Sequence, residues 1–564
     1  MLVFGRLKKE IIIIAILAFG IMALSLTPWY VLKVNTPAGH AFNPVHNSQS
    51  DYPYYTSIIR QGIEGGLLVQ DRYAWEPHSG SIIHYFYLSL GWIGRFWHIN
   101  DPNIVYHLSR VVLGLVWMGV IYLIICQFLN KFYQRIIGFF LAVYSSGFPK
   151  IEIQNGNPII TWFMTWWTEL DPTQRSAFVP HFTAGHILMG ICIILVLKII
   201  SQKSYTREQK EDLKKKFFFN LSTVNYQLLT IFISGFLAGF VHPPSLIILL
   251  LIVPVWLLLL LISQKIHRSQ AVKLLIALGM GATSLIILKI QSSVFPWSSA
   301  SAFEGLSFYV PIWDYLLGLG PIVVLGLWGI WLKRKDHKVW LLVLWIVISI
   351  IMLDRVRFFP FSKIVFIKKL AFSNIRMLQV SLWVPFSILS VYALDFIKHK
   401  FGSTVFLVTM TTIIFLTFVG FPETLKTQST KLFGSNVLMY PSESWMEAIK
   451  SFSSIEPKGK AILSLPLAGE FIPPYSGRTV YVGQEVYTPD HKKKMDLSWQ
   501  FYRGLIDKCH AYNLVKDNNI GIVFYGYDEK NAGSAIKTYP FMLPYKKIGE
   551  TEIYLFTDVR PVGC

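Results

Sequence analysis

Two groups of side chains in this sequence have the chemistry needed to move a group away from a phosphate. Asp51 stands near the start of a polar interval, and its carboxylate could take the proton of an attacking hydroxyl as a general base. Arg376, Lys368 and Lys369 belong to a basic stretch, residues 354–376, whose cations could stabilise the charge that grows on a departing phosphate. Because a phosphate leaves without being protonated, one carboxylate and these cations would suffice.

Other polar residues are weaker candidates for contacts with a substrate. Glu76 and His78 either belong to the site or are turn residues at the membrane interface. His242 ends an apolar run just before two prolines, where its ring could bind a phosphate or a sugar, or only mark the end of a helix. Glu169 and Asp171 form an alternative pair of carboxylates, although their Glu-Leu-Asp spacing is not specific.

Ordinary structural roles compete for three charged residues. Asp51, like Ser50 before it, could accept the first backbone N–H groups of a helix as an N-cap. Asp71 is expected to be a solvated loop carboxylate. Arg110, near the outer end of the second apolar run, is expected to extend its guanidinium group to the lipid headgroups.

The cysteines indicate neither a metal site nor a redox motif, because none of the four stands in a CxxC spacing. We expect no required cofactor, and a divalent metal is possible but not indicated. Cys126 and Cys192 lie in apolar runs, where cysteine acts as a small hydrophobe. Cys509 and Cys564 lie in the polar C-terminal segment and would form a disulfide if that segment faces an oxidising compartment.

The elements that must position these residues are membrane helices. The chain is 53% hydrophobic and only 15% charged, a composition typical of a polytopic membrane protein. Its net charge of +20 comes from clusters of basic residues between apolar runs, as the positive-inside rule requires. Membrane topology and anionic lipids therefore explain the charge better than binding to nucleic acid does.

About eleven apolar runs are candidates to cross the roughly 30 Å hydrocarbon core, the third of them short. Arg6, Lys8 and Lys9 precede the first run and place the N-terminus in the cytoplasm, so an odd number of spans places the C-terminus outside. The predicted spans are about 11–32, 104–129, 136–144, 184–200, 226–241, 246–262, 274–290, 312–332, 339–352, 377–396 and 403–419.

The chain is predicted to have two domains. Residues 1–421 form the transmembrane domain, whose first outer loop, 34–103, contains two helices that lie on the bilayer surface, around Tyr52 to Ile59 and His84 to Trp97. Residues 422–564 form an extracytoplasmic α/β domain, because alternating segments such as IGIVFYGY and TEIYLFT are typical of strands.

The basic stretch 354–376 does not fit the charge rule, since the alternation of spans places it outside the membrane. One explanation is an error of one span in the count. The other is that Arg376, Lys368 and Lys369 are held on the outer side to bind a lipid-linked phosphate or pyrophosphate, for which arginine and lysine are well matched.

This layout resembles the GT-C superfamily of membrane glycosyltransferases, and within it the protein O-mannosyltransferase and aminoarabinose transferase type. The residues that carry the resemblance are Asp51, in SDYPYY just after the first span, and Glu76 to Ser81, at the place of a His-Pro-Pro-Leu-Gly-Lys type segment. The resemblance implies that Asp51 acts at the acceptor. Tyr52 stands where many members have a second acidic residue, and the C-terminal domain adds no resemblance, which leaves the acceptor open.

The expected function is transfer of a sugar from a polyprenyl-phosphate-linked donor to a glycan, lipid or protein acceptor on the outer face, with inversion at the anomeric carbon. Three alternatives stay open: a lipid or polysaccharide transporter, an oligosaccharide polymerase or ligase, and an inactive member that serves as a scaffold. Transporters more often place ionisable residues within spans near the midplane, whereas here the charge is concentrated in loops.

A reporter fused after Cys564 tests the predicted orientation. We expect alkaline phosphatase at this position to be active, because an odd number of spans after a cytoplasmic N-terminus carries it to the outer side. The same reporter inserted in the basic loop 202–216 is the matched control and should be inactive. The reverse pattern would contradict the predicted topology.

Overall fold

Apolar helices make up most of the structure. The structure, a computed structural model, describes residues 2–45, 50–154, 156–164, 167, 169–201, 214–300, 308–354, 373–430 and 436–564. In chain order the α-helices are α1 (Leu2–Val34), α2 (Tyr52–Ile63), α3 (Tyr85–Phe96), α4 (Pro102–Phe128), α5 (Phe132–Tyr144), α6 (Pro172–Ser176), α7 (Pro180–Ser201), α8 (Lys214–Val241), α9 (Pro243–Ile262), α10 (Arg268–Gly281), α11 (Thr283–Gln291), α12 (Ile312–Leu319), α13 (Pro321–Lys333), α14 (Val339–Leu353), α15 (Trp383–Phe418), α16 (Phe421–Thr430), α17 (Asn436–Met439), α18 (Glu443–Ser451), α19 (Pro466–Ser476), α20 (His491–Arg503), α21 (Lys508–Asp517) and α22 (Tyr527–Ala532).

The strands form two small sheets. In chain order they are β1 (Pro149–Gln154), β2 (Asn157–Trp162), β3 (Ala461–Leu463), β4 (Ile520–Tyr525), β5 (Met542–Ile548) and β6 (Thr551–Phe556). β1 and β2 form an antiparallel hairpin in which Ile151 is opposite Ile160. The other sheet has the strand order β3-β4-β6-β5, with β3 parallel to β4 and the remaining pairs antiparallel.

The helices confirm a multi-pass membrane protein. Among the described residues, seven helices are long and apolar enough to cross a bilayer, or eight if α12 and α13, which meet at 91°, are one span. α5 and α14 are apolar but shorter, with 13 and 15 residues. The predicted spans 377–396 and 403–419 fall largely in α15, which is interrupted at Gly402, where φ is 86°. The predicted count of eleven stays a prediction.

The first of two compact units contains most of the apolar helices and consists of Met1–Pro28, Arg110–Ile287 and Leu306–Thr430. In this unit α13 packs against α15, and α7 packs against α8. A Cβ atom on Gly329 in α13 would lie only 1.9 Å from the carbonyl oxygen of Leu389 in α15, so this approach requires glycine.

The second unit consists of Trp29–Ser109, Leu288–Gly305 and Lys431–Cys564, so that the predicted outer loop 34–103 lies in the same unit as the C-terminal segment. The side chain of Trp75, from that loop, packs against the hydrophobic core beneath the four-stranded sheet. α2 and α3 approach closely, because a Cβ on Gly62 would lie 2.2 Å from the carbonyl oxygen of Leu88. The second unit is therefore assembled from three separate segments of the chain.

The helices predicted in the first loop are present as α2 and α3, but the predicted position of α2 on the bilayer surface is wrong. Ten of its twelve residues are buried, since it packs against both α3 and α19. Its tyrosines, read as the apolar face of an interfacial helix, form protein contacts, such as the stacking of Tyr54 on Tyr487. α3 does expose apolar side chains, Ile93 and Phe96.

The predicted C-terminal strands are confirmed in part. IGIVFYGY and TEIYLFT contain β4 and β6, and KAILSLPL contains only the short β3, because Pro466 begins α19, where the missing N–H of proline costs nothing. The segment RTVYVG contributes a single bridge at Val480 rather than a strand. β5 was not predicted, because its middle residues are exposed and do not alternate.

A disulfide joins Cys509 and Cys564, as predicted from their place in the C-terminal segment. Their Cα atoms are 5.3 Å apart, and the bond closes a loop between residues separated by 55 positions. Cross-linking of this kind stabilises a domain chiefly by restricting its unfolded chain. Cys126 and Cys192 are not in disulfides.

We expect Cys509 and Cys564 to resist alkylation until their disulfide is reduced. In a Cys126→Ser, Cys192→Ser background, a maleimide polymer should not increase the mass of the protein before reduction. After reduction the mass should increase by two polymer units. Replacing Cys509 and Cys564 by serine should lower the stability of the second unit by about 4 kcal/mol on the chain-entropy argument. Equal labelling of both cysteines with and without reductant would contradict the disulfide.

Candidate functional site

Asp51 stands at the N-terminus of α2, and its side chain does not cap the helix. The backbone carbonyl of Asp51 accepts the first helical hydrogen bond, from Tyr55 at 3.0 Å, while the carboxylate makes no capping bond. The residue is partly buried. At the other end of α2, Arg60 donates to the carbonyl of Tyr475 in α19 at 3.1 Å and fixes the two helices together. The carboxylate of Asp51 therefore does not have the N-capping role that was the alternative to catalysis.

A second carboxylate, Glu470 of α19, interacts with Asp51. Burial and, to a smaller extent, the negative charge of Asp51 raise the pKa of Glu470 to about 7. The carbonyl of Glu470 accepts a hydrogen bond from the Tyr73 hydroxyl at 2.9 Å, so this part of α19 is held in place. Two interacting carboxyls of this kind repel each other when both are ionised, and one of them takes up a proton near neutral pH.

Asp71 is not the solvated loop carboxylate that the sequence predicted. It is 2% exposed, and burial raises its pKa to about 7. Its Oδ1 accepts a hydrogen bond from the N–H of Tyr73 at 3.0 Å. The loop that contains Asp71 folds against the C-terminal segment of the second unit. The polar sequence of this loop therefore wrongly indicated that Asp71 is exposed to solvent.

Glu76 and His78 hold the turn of this loop. Glu76 forms an ion pair of 2.6 Å with Lys494 of α20, a lysine that is only 6% exposed. His78 accepts from the N–H of Asp71 through Nε2 at 3.1 Å, and its Nδ1 lies 2.7 Å from the carbonyl oxygen of Glu76, to which it donates. Both ring nitrogens of His78 are therefore bonded to the backbone of its own loop.

In the first unit, His242 lies at the junction of α8 and α9. It is 2% exposed; its Nδ1 is 2.7 Å from the Ser245 hydroxyl and its Nε2 is 3.5 Å from Oε1 of Gln379. Arg376 lies in the 3₁₀ helix Asn374–Gln379, close enough to His242 for their charges to interact. The structure thus brings together two of the predicted phosphate ligands, while Lys368 and Lys369 lie outside the described residues.

Glu169 is buried in the turn before α6 and binds Ser381, which follows the 3₁₀ helix Asn374–Gln379. Its Oε1 accepts from the N–H of Ser381 at 2.8 Å and from the Ser381 hydroxyl at 2.9 Å. Burial raises the pKa of Glu169 to about 7, against the opposing effect of the two bonds from Ser381. The Ser381 hydroxyl also lies 3.3 Å from Nδ1 of His186, a histidine of α7.

Asp171, the other member of the alternative carboxylate pair, has a structural role. It caps α6 by accepting from the N–H of Thr173 at 2.8 Å, and the amide of Gln428 also donates to it. Among the described residues no group of three or more His, Cys, Asp or Glu side chains could hold a metal ion.

Two arginines of the first unit are buried. Arg110 is fully buried in α4, so the prediction that it extends to the lipid headgroups is wrong. Arg175, which the sequence did not single out, lies 4.7 Å from the centre of the Trp383 ring and donates to the carbonyl of Val143 at 3.2 Å. Burial lowers the pKa of Arg175 to about 9, and the nearby Asp171 and Glu169 oppose that shift.

Sequence reasoning also missed His186, Gln379, Ser381, Glu470 and Lys494. A histidine inside an apolar run, such as His186, is a signal that could have been used, because ionisable residues within spans are rare and often functional. The other four stand in stretches of ordinary polarity, and only the fold brings them to their partners.

Two solved membrane proteins share this fold. The archaeal oligosaccharyltransferase AglB from Archaeoglobus fulgidus, in complex with an inhibitory peptide and a dolichol-phosphate, is 12% identical and matches with a TM-score of 0.55 over 98% of this chain and 75% of its own. An oligosaccharyltransferase from Archaeoglobus fulgidus in the apo form gives a TM-score of 0.57 over the same shares, at 12% identity. ArnT from Cupriavidus metallidurans bound to undecaprenyl phosphate is 10% identical, with a TM-score of 0.51 over 96% of this chain and 98% of its own.

AglB and ArnT are both GT-C superfamily membrane glycosyltransferases, so the resemblance drawn from the sequence is confirmed at the level of the fold. No protein-family model matches the chain, and no curated protein matches it by sequence.

Replacing Glu76 by glutamine tests the role found for it. Because the variant leaves the buried ammonium of Lys494 without its carboxylate, we expect the second unit to lose about 3 kcal/mol of stability. The measurement is the thermal unfolding of the full-length protein in detergent. Glu550→Gln removes an exposed ion pair with Lys530 and is the matched control, with an expected loss below about 1 kcal/mol. Equal effects of the two variants would count against a buried structural pair.

Proposed function

We propose that the protein is a membrane glycosyltransferase that moves a sugar from a polyprenyl-phosphate-linked donor to an acceptor at the outer face of the membrane. The observation that carries the proposal is the carboxylate of Asp51, which stands at the start of a rigid helix, does not cap that helix and interacts with a second carboxyl. The fold is that of AglB and ArnT, whose structures contain dolichol-phosphate and undecaprenyl phosphate.

The acceptor half of the reaction is assigned to Asp51. An acceptor hydroxyl attacks the anomeric carbon, and Asp51 takes the hydroxyl proton as the new bond to the sugar forms. The carrier phosphate leaves from the opposite side, so the configuration at the anomeric carbon inverts. Two interacting carboxyls are stabilised when one of them is protonated. Because the pKa of Glu470 is raised to about 7, Glu470 takes up that proton and leaves Asp51 available as the base.

The donor half is assigned to the first unit. Arg376 and His242 lie together there, and a guanidinium group binds phosphate oxygens in two parallel hydrogen bonds. Lys368 and Lys369 belong to the same basic stretch as Arg376 and are assigned to the same phosphate. The positive charges offset the negative charge that the phosphate gains as the bond to the sugar breaks.

The disulfide between Cys509 and Cys564 supports an extracytoplasmic second unit, because disulfides persist in oxidising compartments. That side agrees with the orientation derived from the basic residues around the spans. The N-terminus is then cytoplasmic, and the acceptor is a glycan, lipid or protein outside the cell membrane.

A lipid transporter is the second candidate, and one observation favours it. Arg110 is fully buried within α4 and His186 within α7, and ionisable residues inside spans are typical of substrate pathways in transporters. Formation of a glycosylated product in detergent, where no second compartment exists, separates an enzyme from a transporter. Release of a pyrophosphate carrier instead of a monophosphate would favour a polymerase or ligase.

Asp51→Asn should slow sugar transfer from a polyprenyl-phosphate sugar by about 10²- to 10⁴-fold, because asparagine cannot accept the hydroxyl proton. The donor KM should change little, because the donor phosphate is bound by other residues. Turnover is followed by the release of polyprenyl phosphate from purified protein.

Glu64→Gln is the matched control for this variant, since Glu64 follows α2 directly and pairs with Arg60 and Arg72 near the surface. It should keep nearly full activity. An Asp51→Asn protein that turns over the donor at the rate of the wild type would remove the base assignment.

A further inference from the structure

Glu169, Ser381 and His186 form a buried hydrogen-bonded chain, here called the Glu-Ser-His chain. The Ser381 hydroxyl lies 2.9 Å from Oε1 of Glu169 and 3.3 Å from Nδ1 of His186. The other ring nitrogen of His186 is 2.8 Å from the carbonyl oxygen of Gln379. All three members are below 4% exposed. The catalytic roles assigned above do not use this chain.

The geometry determines where protons can sit in the Glu-Ser-His chain. Because a carbonyl only accepts, Nε2 of His186 carries a hydrogen and donates it to Gln379, and Nδ1 of a neutral ring is then an acceptor. When Glu169 is ionised, the single hydroxyl hydrogen of Ser381 lies between two acceptors. One additional proton gives every bond in the chain a donor.

That additional proton has two positions. In one form Glu169 is neutral, its O–H donates to the Ser381 oxygen, and the Ser381 hydroxyl donates to Nδ1 of His186. In the other form Glu169 is ionised, Ser381 donates to it, and the imidazolium of His186 donates to Ser381. The two forms have the same net charge, but the second places the positive charge on His186.

Charged and titratable groups surround the chain. Arg175 and Tyr315 face Glu169, and Arg175 favours its ionised form. The ring of His186 is 5.4 Å from that of His242, whose ring in turn is 6.2 Å from that of His181. Arg376 interacts with His242 from the 3₁₀ helix. The His186 end of the chain is therefore the end that lies beside the proposed phosphate ligands.

We propose that the Glu-Ser-His chain is a proton relay that responds to the phosphate of a polyprenyl carrier lipid. When this phosphate binds beside Arg376 and His242, the O–H bond of Glu169 breaks and its proton passes to the Ser381 oxygen. The hydrogen of Ser381 passes to Nδ1 of His186 in the same step, so an imidazolium faces the phosphate and a carboxylate is left at Glu169. The inference rests on the proposed function, which supplies the phosphate.

The relay has a consequence that can be measured. An anion next to His186 increases the affinity of the chain for its shared proton, so binding of the lipid takes up protons from solution. Burial raises the pKa of Glu169 to about 7. Below that pH the proton is already present, and above it the protein must acquire the proton to bind the phosphate well.

The experiment is a calorimetric titration of the full-length protein in detergent with undecaprenyl monophosphate at pH 6 to 8.5, in buffers of different ionisation enthalpy. We expect the wild type to take up a fraction of a proton above pH 7, with an affinity that falls by up to about tenfold per pH unit. Glu169→Gln should lose at least half of this uptake and flatten the pH dependence. Ser381→Ala keeps both titratable groups but removes the bridge, and it should also lose the uptake.

Glu529→Gln is the matched control, because Glu529 is a buried carboxyl of the second unit with a pKa raised to about 7 and with backbone N–H donors. It should leave the uptake unchanged, and undecaprenol, which lacks the phosphate, should cause none. Proton uptake that is the same in the wild type, Glu169→Gln and Ser381→Ala overturns the relay alone. A wild-type protein that does not bind the monophosphate overturns the proposed function, and the relay with it.

Discussion

The hydrogen bonds from Ser381 to Glu169 join two parts of the chain that are 212 residues apart. Ser381 has a φ of 55°, a left-handed conformation that costs a residue other than glycine of the order of 1 kcal/mol. The carboxylate of Glu169 holds the backbone N–H and the hydroxyl of Ser381 in this conformation. The 3₁₀ helix before it, which carries Arg376, and α15 after it, which begins at Trp383, take their positions from that turn.

Other charged groups in this chain also need specific partners, because an apolar protein offers few ways to satisfy a buried charge. Lys494 is matched by Glu76 from 418 residues away, and the half-buried Arg60 by Glu64 and by a carbonyl group of α19. These pairs fix the loop and the helix at whose start Asp51 stands. The proposed base needs such a support, since a side chain on a helix holds its geometry better than one on a loop.

The sequence predicted the structure best where an apolar pattern extended over many residues. The apolar runs predicted the membrane helices, and the early position of Asp51 together with the run of spans predicted the fold. It was least informative where tertiary contacts decide burial. Asp71 and Arg110 looked like exposed charges, and both are buried in the folded protein.

The helical period of the tyrosines in α2 was recognised, but the partner of its apolar face was not. The sequence shows an amphipathic pattern without showing what will cover it, and either a bilayer or another helix such as α19 can cover an apolar face. For Glu470 and Lys494 the sequence had no signal at all. Each becomes notable only through the residue that the fold places beside it, Asp51 in one case and Glu76 in the other.

The three-segment construction of the second unit has a consequence for biosynthesis. Its first segment ends at Ser109 and its last begins at Lys431, so the ribosome needs roughly 15 to 65 seconds to make the intervening residues at 5–20 residues per second. During that interval the tyrosine-rich faces of α2 and the side chain of Trp75 have no α19 or sheet core to cover them. A nascent chain of this design therefore leaves that apolar surface uncovered until its C-terminus arrives, unless a chaperone binds it.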